Sequence, residues 1–580
     1  MRNLRRWMPI FDWGRSYTRA TLGADLLAAL IVAIMLIPQG LAYAMLAGMP
    51  PEAGLYASIL PLIAYALFGS SRVLAVGSVA VISLMTASAV APVVAQGLAD
   101  AVTAAAVLAL MSGAMLVAMG VLRLGFVANF LSHPVISGFI TASGLLIAAG
   151  QLGHILGVGG GGSTLPAVVT RLSGAGPLNA VTMMIGLGVL VFLWLARSRL
   201  KGWLMRAGAG GLMAGIIARA APVLAIFVTI GLSLTLDLGG KGVALVGQVP
   251  AGLPGLALPG LSLALVTALA PAAFLIAVVG FVESVSVART LAAKRRERIG
   301  PDQELIGLGA ANIAAGLSGA YPVTGGFARS VVNFDAGAQT PAAGAFTALA
   351  IALAALFLAP MLAALPQAVL AATIIIAVLS LVDLPALARV WRYSRPDFAA
   401  MAATILVTLG FGVEAGIMAG VGLSILLVLW RASHPHSAVV GQVPGTEHYR
   451  NVTRHQVITN PVVLSLRVDE SLWFANTGFL EDRIEALAAC SPGLKHIVLM
   501  CPAVNEIDIS ALESLGDINR RLMDAGIRFH LSEVKGPVMD RLKCSDFLSE
   551  LSGEVFLSQH EAMCRLGQLP GCGPAAGDAL

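Results

Sequence analysis

Charge is scarce in this 580-residue chain. Asp, Glu, Lys and Arg make up 12% of it, against 57% hydrophobic residues and only 6% aromatic ones. Soluble domains carry about 25% charged residues, so an ordinary globular protein is excluded for most of the length. Cysteine is missing before residue 490. The five present (Cys490, Cys501, Cys544, Cys564, Cys572) are odd in number, irregularly spaced and free of any CxxC. That excludes a cysteine-built metal centre and a disulfide framework, and predicts free thiols in a reducing compartment. No Gly-x4-Gly-Lys-Ser/Thr phosphate loop occurs, so nucleotide-driven pumping has no engine here. No cofactor, metal or catalytic constellation is expected, and the chain does not read as an enzyme.

What is present is apolar sequence in long runs, with a mean hydropathy of +0.86. The runs fill residues 20–435 and then stop. The expected organisation is an N-terminal segment 1–19, a transmembrane domain 20–435, a linker 436–454, a soluble domain 455–566 and a disordered tail 567–580. A spanning helix needs about 20 mostly apolar residues, and on that measure the membrane part divides into about fourteen spans. They are expected near 22–46, 54–68, 75–96, 101–121, 130–152, 178–196, 220–237, 261–289, 303–319, 326–338, 342–360, 366–380, 397–411 and 413–431. The second, tenth and thirteenth are short, and need protein rather than lipid around their ends. The first run begins too late and runs too long for a cleaved signal peptide.

Basic residues cluster at the N-terminus (Arg2, Arg5, Arg6, Arg15, Arg19), at Arg197–Arg206, at Lys294–Arg298 and at Arg389–Arg395. With fourteen spans all four clusters fall on one side, which the positive-inside rule makes cytoplasmic together with the C-terminal domain. The formal charge of +5 is explained by that topology, without a nucleic-acid partner. The expected location is the inner (plasma) membrane.

Two places in the apolar part share one design. At Val76-Gly77-Ser78-Val79-Ala80 and at Pro322-Val323-Thr324-Gly325-Gly326-Phe327-Ala328-Arg329, a short extended piece precedes a helix. Gly77, Ser78, Gly325 and Gly326 are the expected breaks. The two places correspond if spans one to seven and eight to fourteen are halves of an inverted repeat, and such paired interruptions point to a midplane binding site. Helix N-termini carry unpaired N–H groups and partial positive charge. Arg329 adds a full charge there, and the combination is an anion trap. A charge at that depth costs about 2.5–3.5 kcal/mol on insertion scales, so it has a reason to be there. Glu283 is the other ionisable residue deep in an apolar run. It reads either as a carrier of a coupling proton or as a structural ion-pair partner of Arg329. Gln39 and Tyr43 lie four apart beside Pro38 and Gly40, either as donors to an oxyanion or as part of a packed kink.

Taken together, Pro38-Gln39-Gly40-Leu41-Ala42-Tyr43-Ala44, Pro51-Glu52-Ala53-Gly54-Leu55-Tyr56, Phe68-Gly69-Ser70-Ser71-Arg72, Gln303-Glu304-Leu305-Ile306 and Pro322 through Ser330 resemble the SulP family of anion permeases. The resemblance covers nearly the whole chain. It implies a seven-plus-seven inverted repeat of uracil-permease type, with a core domain moving against a gate domain, and a homodimer. It places a small-anion pocket between the third and tenth spans. Carried over by motif, Gln39 and Tyr43 lie on the first span, Val79 and Ala80 open the third, Glu283 sits on the eighth, and Phe327, Ala328 and Arg329 open the tenth. Two positions depart from the pattern. Many relatives have Pro where Ser78 stands, and many sulfate-transporting ones have Ser where Ala328 stands, which leaves the pocket one hydroxyl short.

After Pro444 short strands and helices alternate. Strands are expected at 462–466, 496–500 and 528–531, and a helix at 510–525. With Ile507-Asp508-Ile509-Ser510-Ala511-Leu512 at a strand-to-helix turn, this part resembles a cytoplasmic STAS domain. Ser510 and Glu513 fit a capping box, the reading preferred over regulatory phosphorylation of Ser510. The function implied is secondary transport of an inorganic oxyanion, sulfate first, by alternating access with proton symport. The alternatives are bicarbonate or dicarboxylate transport, including a sodium-coupled form, and an anion channel or a sensor acting through the STAS domain.

Overall fold

The computed structural model describes residues 7–129, 132–159, 161–162, 164–174, 176–208, 210, 214–215, 217–218, 220–247, 252–380 and 382–567. The basic residues up to Arg6, Cys572 and the tail expected to be disordered lie outside them. Two compact units are formed, Met1–Ser424 and Ile425–Leu580.

The first unit is all helix apart from one two-stranded ladder. Besides the connecting helices Ile10–Trp13, Leu165–Ser173 and Leu384–Tyr393, its helices include α1 Arg19–Leu46, α2 Pro51–Phe68 (interrupted after Tyr56), α3 Ala80–Ala95, α4 Ala101–Val121, α5 His133–Leu156, α6 Ala180–Arg206 and α7 Ala221–Leu236. The series continues with α8 Leu263–Arg295, α9 Pro301–Leu317, α10 Phe327–Asp335, α11 Ala342–Phe357, α12 Gln367–Leu379, α13 Arg395–Phe411 and α14 Val413–Ser433, the last of which runs on past Ser424 into the second unit. Each predicted apolar run is matched by one of these helices. Among the described residues eight helical stretches are long and apolar enough to cross a membrane, and α3, α7 and α11 are shorter apolar helices. This is a polytopic helical membrane domain.

Between lipid-like side chains there is no hydrophobic drive to associate, so helices pack through small residues that let backbones approach. The α4–α9 seam shows it. A Cβ on Gly113 would lie 2.7 Å from the Ile313 nitrogen, one on Gly309 2.8 Å from the Gly113 carbonyl oxygen, and one on Gly316 2.7 Å from the Ala106 oxygen.

The ladder is β1 (Val76–Gly77) against β2 (Thr324–Gly325), antiparallel, with Val76 opposite Gly325 and Gly77 opposite Thr324. Each strand runs directly into a half-helix, α3 or α10. Buried polar side chains hold this junction, because irregular backbone at membrane depth needs partners from the protein. Ser284 on α8 accepts from the Gly325 N–H at 2.9 Å and bonds Thr324 Oγ1 at 2.7 Å, while Thr324 donates to the Gly280 carbonyl at 2.7 Å. Asn312 on α9 brackets Val323, accepting from its N–H and donating to its carbonyl, both at 2.9 Å. Ser330 accepts from the Ala75 N–H, and Asn333 donates to the Val73 carbonyl. Glu304, fully buried, accepts from Tyr65 Oη at 2.7 Å and from the Ser70 and Ser71 N–H groups, pinning the segment that leads into β1.

The second unit contains a six-stranded sheet ordered β4-β3-β5-β6-β7-β8. Its strands are β3 Ser437–Gln442, β4 Tyr449–Asn451, β5 Val463–Val468, β6 His496–Met500, β7 Arg528–Ser532 and β8 Val555–Phe556. Pairing is antiparallel around β3 and parallel from β5 to β8. Helices α15 (Thr477–Ala489) and α16 (Ile509–Asp524) supply the crossovers that parallel neighbours require. They cover one face through Leu480, Ile484, Leu515 and Ile518; α17 (Gln559–Gly567) covers the other through Ala562 and Met563. Two expectations fail here. The cap of α16 is Asp508, whose Oδ1 accepts from the Ala511 N–H at 2.8 Å, and Ser510 is already inside the helix with its side chain exposed. The capping box is therefore not formed. Cys564 is disulfide-bonded, so not every thiol is free, although Cys490, Cys501 and Cys544 are.

Candidate functional site

A cavity of about 500 Å³ lies in the membrane domain where α3 and α10 begin. Every residue expected at the pocket except the glycine pair Gly77 and Gly325 lines it: Gln39 and Tyr43 from α1, Ser78, Val79 and Ala80 at the entry to α3, Glu283 from α8, and Gly326, Phe327, Ala328 and Arg329 at the entry to α10. Gly77 and Gly325 sit just behind, paired in the ladder. Neither half-helix has a side-chain cap. Val79 and Gly326 occupy the cap positions in extended conformation, so the first-turn N–H groups of both helices are left without a capping partner.

Arg329 is 2% exposed, and both its terminal nitrogens are buried without a hydrogen-bond partner. Glu283 lines the same cavity and makes no ion pair with Arg329 within 4.0 Å. A buried guanidinium with unused donors is costly unless something negative meets it. Two glycines make the room it occupies. A Cβ on Gly77 would lie 2.8 Å from Nη1, and one on Gly326 2.8 Å from Nε. Gly77 also has φ +148°, a conformation side chains disfavour. The Ser78 hydroxyl is likewise buried and unpartnered, so the residue that stands in place of the common proline brings a donor to the cavity wall. Phe327 and Ala328 are exposed toward the cavity. Together the site offers one full positive charge, two helix N-termini and the polar side chains of Gln39, Tyr43 and Ser78, which is a receptor for a small anion.

The sequence reading missed the opposite wall. Leu193, Arg197 and Lys201 of α6 and Thr373, Ile376 and Ser380 along and just after α12 also line the cavity, as does Asp335 at the end of α10. Arg197 lies in a π turn of α6, Ala196–Leu200, and its Nη1 reaches the Ile376 carbonyl at 3.4 Å. In sequence Arg197 and Lys201 are simply basic loop residues; only tertiary packing places them at the cavity. Ser510 lies in the other unit, on α16, and does not line this cavity. Among the described residues no group of three or more His, Cys, Asp or Glu side chains is arranged to hold a metal.

These features define a polytopic membrane domain built around two half-helices that face one anion-receptive cavity, followed by a small α/β domain. The sulfate permease family profile matches residues 22–404, and the STAS domain profile residues 454–562. The chain belongs to the sulfate permease family and carries a C-terminal STAS domain. It is 36% identical over 572 residues to probable sulfate transporter 4.2 of Arabidopsis thaliana, covering 96% of this chain and 83% of that one. It is 34% identical over 556 residues to probable sulfate transporter Rv1739c of Mycobacterium tuberculosis, covering 95% and 96%. Its fold matches murine solute carrier 26 family member A9, an anion transporter solved in the inward-facing state, with TM-score 0.84, 24% identity and 97% and 94% coverage. The transmembrane domain of the cyanobacterial bicarbonate transporter BicA matches at TM-score 0.59 and 23% identity, covering 70% of this chain and 99% of that one.

Proposed function

We propose that the protein is a secondary transporter of an inorganic oxyanion, sulfate foremost, working by alternating access. The observation that carries this reading is the buried, unpartnered Arg329 guanidinium facing a cavity onto which two uncapped helix N-termini open. The names of the sulfate transporters that match along most of their length support sulfate as the first substrate to test. Gln39, Tyr43, Ser78, Val79, Ala80, Phe327, Ala328 and Arg329 form the binding site, with Gly77, Gly325 and Gly326 shaping it. Glu283 lines the same cavity without pairing to Arg329, and that position suits a carboxylate that takes up and releases a coupling proton. The working unit is a homodimer in the inner membrane, with the N-terminus and STAS domain cytoplasmic, and Ser510 is a regulatory position on that domain.

The test is a proteoliposome flux screen with sulfate, bicarbonate, chloride, nitrate and dicarboxylates, each with and without proton and sodium gradients. Saturable sulfate uptake with counterflow, driven by a proton gradient, is expected. Arg329→Ala is expected to abolish anion binding while expression persists; an unchanged affinity would remove Arg329 from the site.

A further inference from the structure

A second cavity, of about 80 Å³, lies between α1, α5 and α12 and is lined by Ala42, Met45, Leu46, Gln151, His154, Gln367, Leu370, Ala371 and Ile374. It stands in series with the first. Along α1 the large cavity ends at Tyr43 and the small one takes Ala42, Met45 and Leu46. Along α12 the large cavity takes Thr373, Ile376 and Ala377, and the small one Gln367, Leu370, Ala371 and Ile374. The two linings therefore abut at Ala42–Tyr43 and at Thr373–Ile374, on the same two helices, with no uncommitted turn between them.

The far cavity is also polar where an apolar helix contact would suffice. Gln151 and His154 are three apart on α5 and share a face. Gln151 is only 6% exposed, and neither its amide nor the His154 ring has a hydrogen-bond partner among the described residues. The Gln151 amide opens onto the cavity it lines, with its hydrogen-bonding capacity unused. Gln367, in contrast, is committed: its Nε2 donates to the Leu245 carbonyl at 3.1 Å. The volume holds two or three waters at about 30 Å³ each, so an anion passes only if the cavity widens.

We propose that this cavity is the closed far half of the permeation path, and that Gln151 and His154 form a transit site for the oxyanion on that side. The proposal rests on the transport reading above. Its chemistry differs from the Arg329 site: an amide and an imidazole replace a guanidinium and two helix N-termini. A neutral amide such as Gln151 holds an anion less firmly than the charge-assisted donors of Arg329 do, so the far site favours release over retention.

The membrane domain contains no native cysteine, so introduced thiols report cleanly there. Ala371→Cys (far cavity) and Ala377→Cys (large cavity) are placed in full-length protein in proteoliposomes. Each is treated with a membrane-impermeant maleimide on one face at a time, and labelling is read peptide by peptide by mass spectrometry. Ala371→Cys is expected to react only from the face opposite to that which labels Ala377→Cys, at a rate that changes with saturating sulfate. Labelling from the same face, or none while flux continues, overturns the proposal. Gln151→Ala and His154→Ala are expected to raise the half-saturating sulfate concentration on the far face by about tenfold, the value of one hydrogen bond to a charged ligand. The near face should change less than twofold, and Gln151→Asn and His154→Gln should recover most of the loss. Equal changes on both faces overturn the transit site. If no anion supports flux, the transport reading fails, and the labelling pattern alone decides whether the two cavities open to opposite faces.

Discussion

Between Gly77 and Gly326 the Arg329 guanidinium lies against backbone on both sides, so its position is set by the absence of two side chains. Gly326→Ala would bring a methyl carbon within 2.8 Å of Nε and 2.9 Å of Nη2, and the guanidinium must move. Overpacking of that kind is worth about 1–3 kcal/mol, so sulfate affinity should fall roughly tenfold to a hundredfold. Isothermal titration of the purified protein measures it, and an unchanged affinity would show that the guanidinium does not set binding. Arg329→Ala removes a buried charge that has no partner, so the ligand-free thermal midpoint should hold or rise even as sulfate-induced stabilisation disappears. Glu283→Gln keeps the shape of the site and removes the titrating group. Uptake by this variant should persist by counterflow yet no longer respond to an imposed pH gradient, and a response of wild-type size would dismiss Glu283 as the coupling residue.

At the scale of elements, hydropathy and glycine or proline interruptions made nearly all of the membrane helices legible, because each helix must satisfy its own backbone in lipid. The junction of β1 and β2 was legible from Gly77 and Gly325 for the same reason: irregular backbone at that depth needs a special cause. The polar pins behind it, Ser284, Asn312 and Asn333, carry no local signature beyond being polar in apolar runs. The α6 and α12 wall was not legible either, since those helices are brought to the cavity only by packing. In the other unit, Ser510 and Glu513 satisfy the capping-box spacing, but Asp508 is two residues closer to the preceding strand and captures the helix start. The α4–α9 seam yields a direct test. A leucine at Gly309 meets main-chain atoms of Gly113 and Val117 at 2.8 and 2.9 Å, which cannot rotate away. Gly309→Leu should lower the thermal midpoint in detergent by several degrees or prevent folding, whereas Gly188→Leu, with nothing within 4 Å, should be neutral. Equal effects at both sites would mean the seam is not close-packed.

Across the whole molecule, the drop in hydropathy near residue 435 announced a second domain, and its free thiols were expected from composition. The disulfide at Cys564 was not, because spacing alone says nothing of which sulfurs meet. That domain also has a pH response of its own. His530, 1% exposed on β7, accepts the Glu554 N–H on Nδ1 and faces His496 Nδ1 across 3.0 Å. Burial first, then the positive charge contributed by His496 and Arg528, pushes its pKa down to about 4. Since the unfolded value is about 6.5, the fold is at full strength above pH 6.5 and weakens as pH falls toward 4, where the folded histidine finally accepts its proton. Urea melts of residues 436–567 followed by Trp473 fluorescence should show that decline, and His530→Gln should flatten it; a wild-type curve level from pH 6.5 to 4 would refute the assignment.

The β1–β2 ladder has an electrical consequence for the proposed cycle. It fastens both half-helices, and the Arg329 charge with them, into one piece, so the guanidinium cannot stay behind when the anion moves. Loaded, with Glu283 protonated and a divalent oxyanion bound, the moving charges sum to one net negative; empty, with the coupling proton released from Glu283, they cancel. Each unit of charge crossing the full potential is worth about 2.3 kcal/mol per 100 mV. Membrane voltage should therefore act on the loaded carrier and leave the return of the empty one nearly untouched, so reversing its sign should change the rate of the loaded step alone.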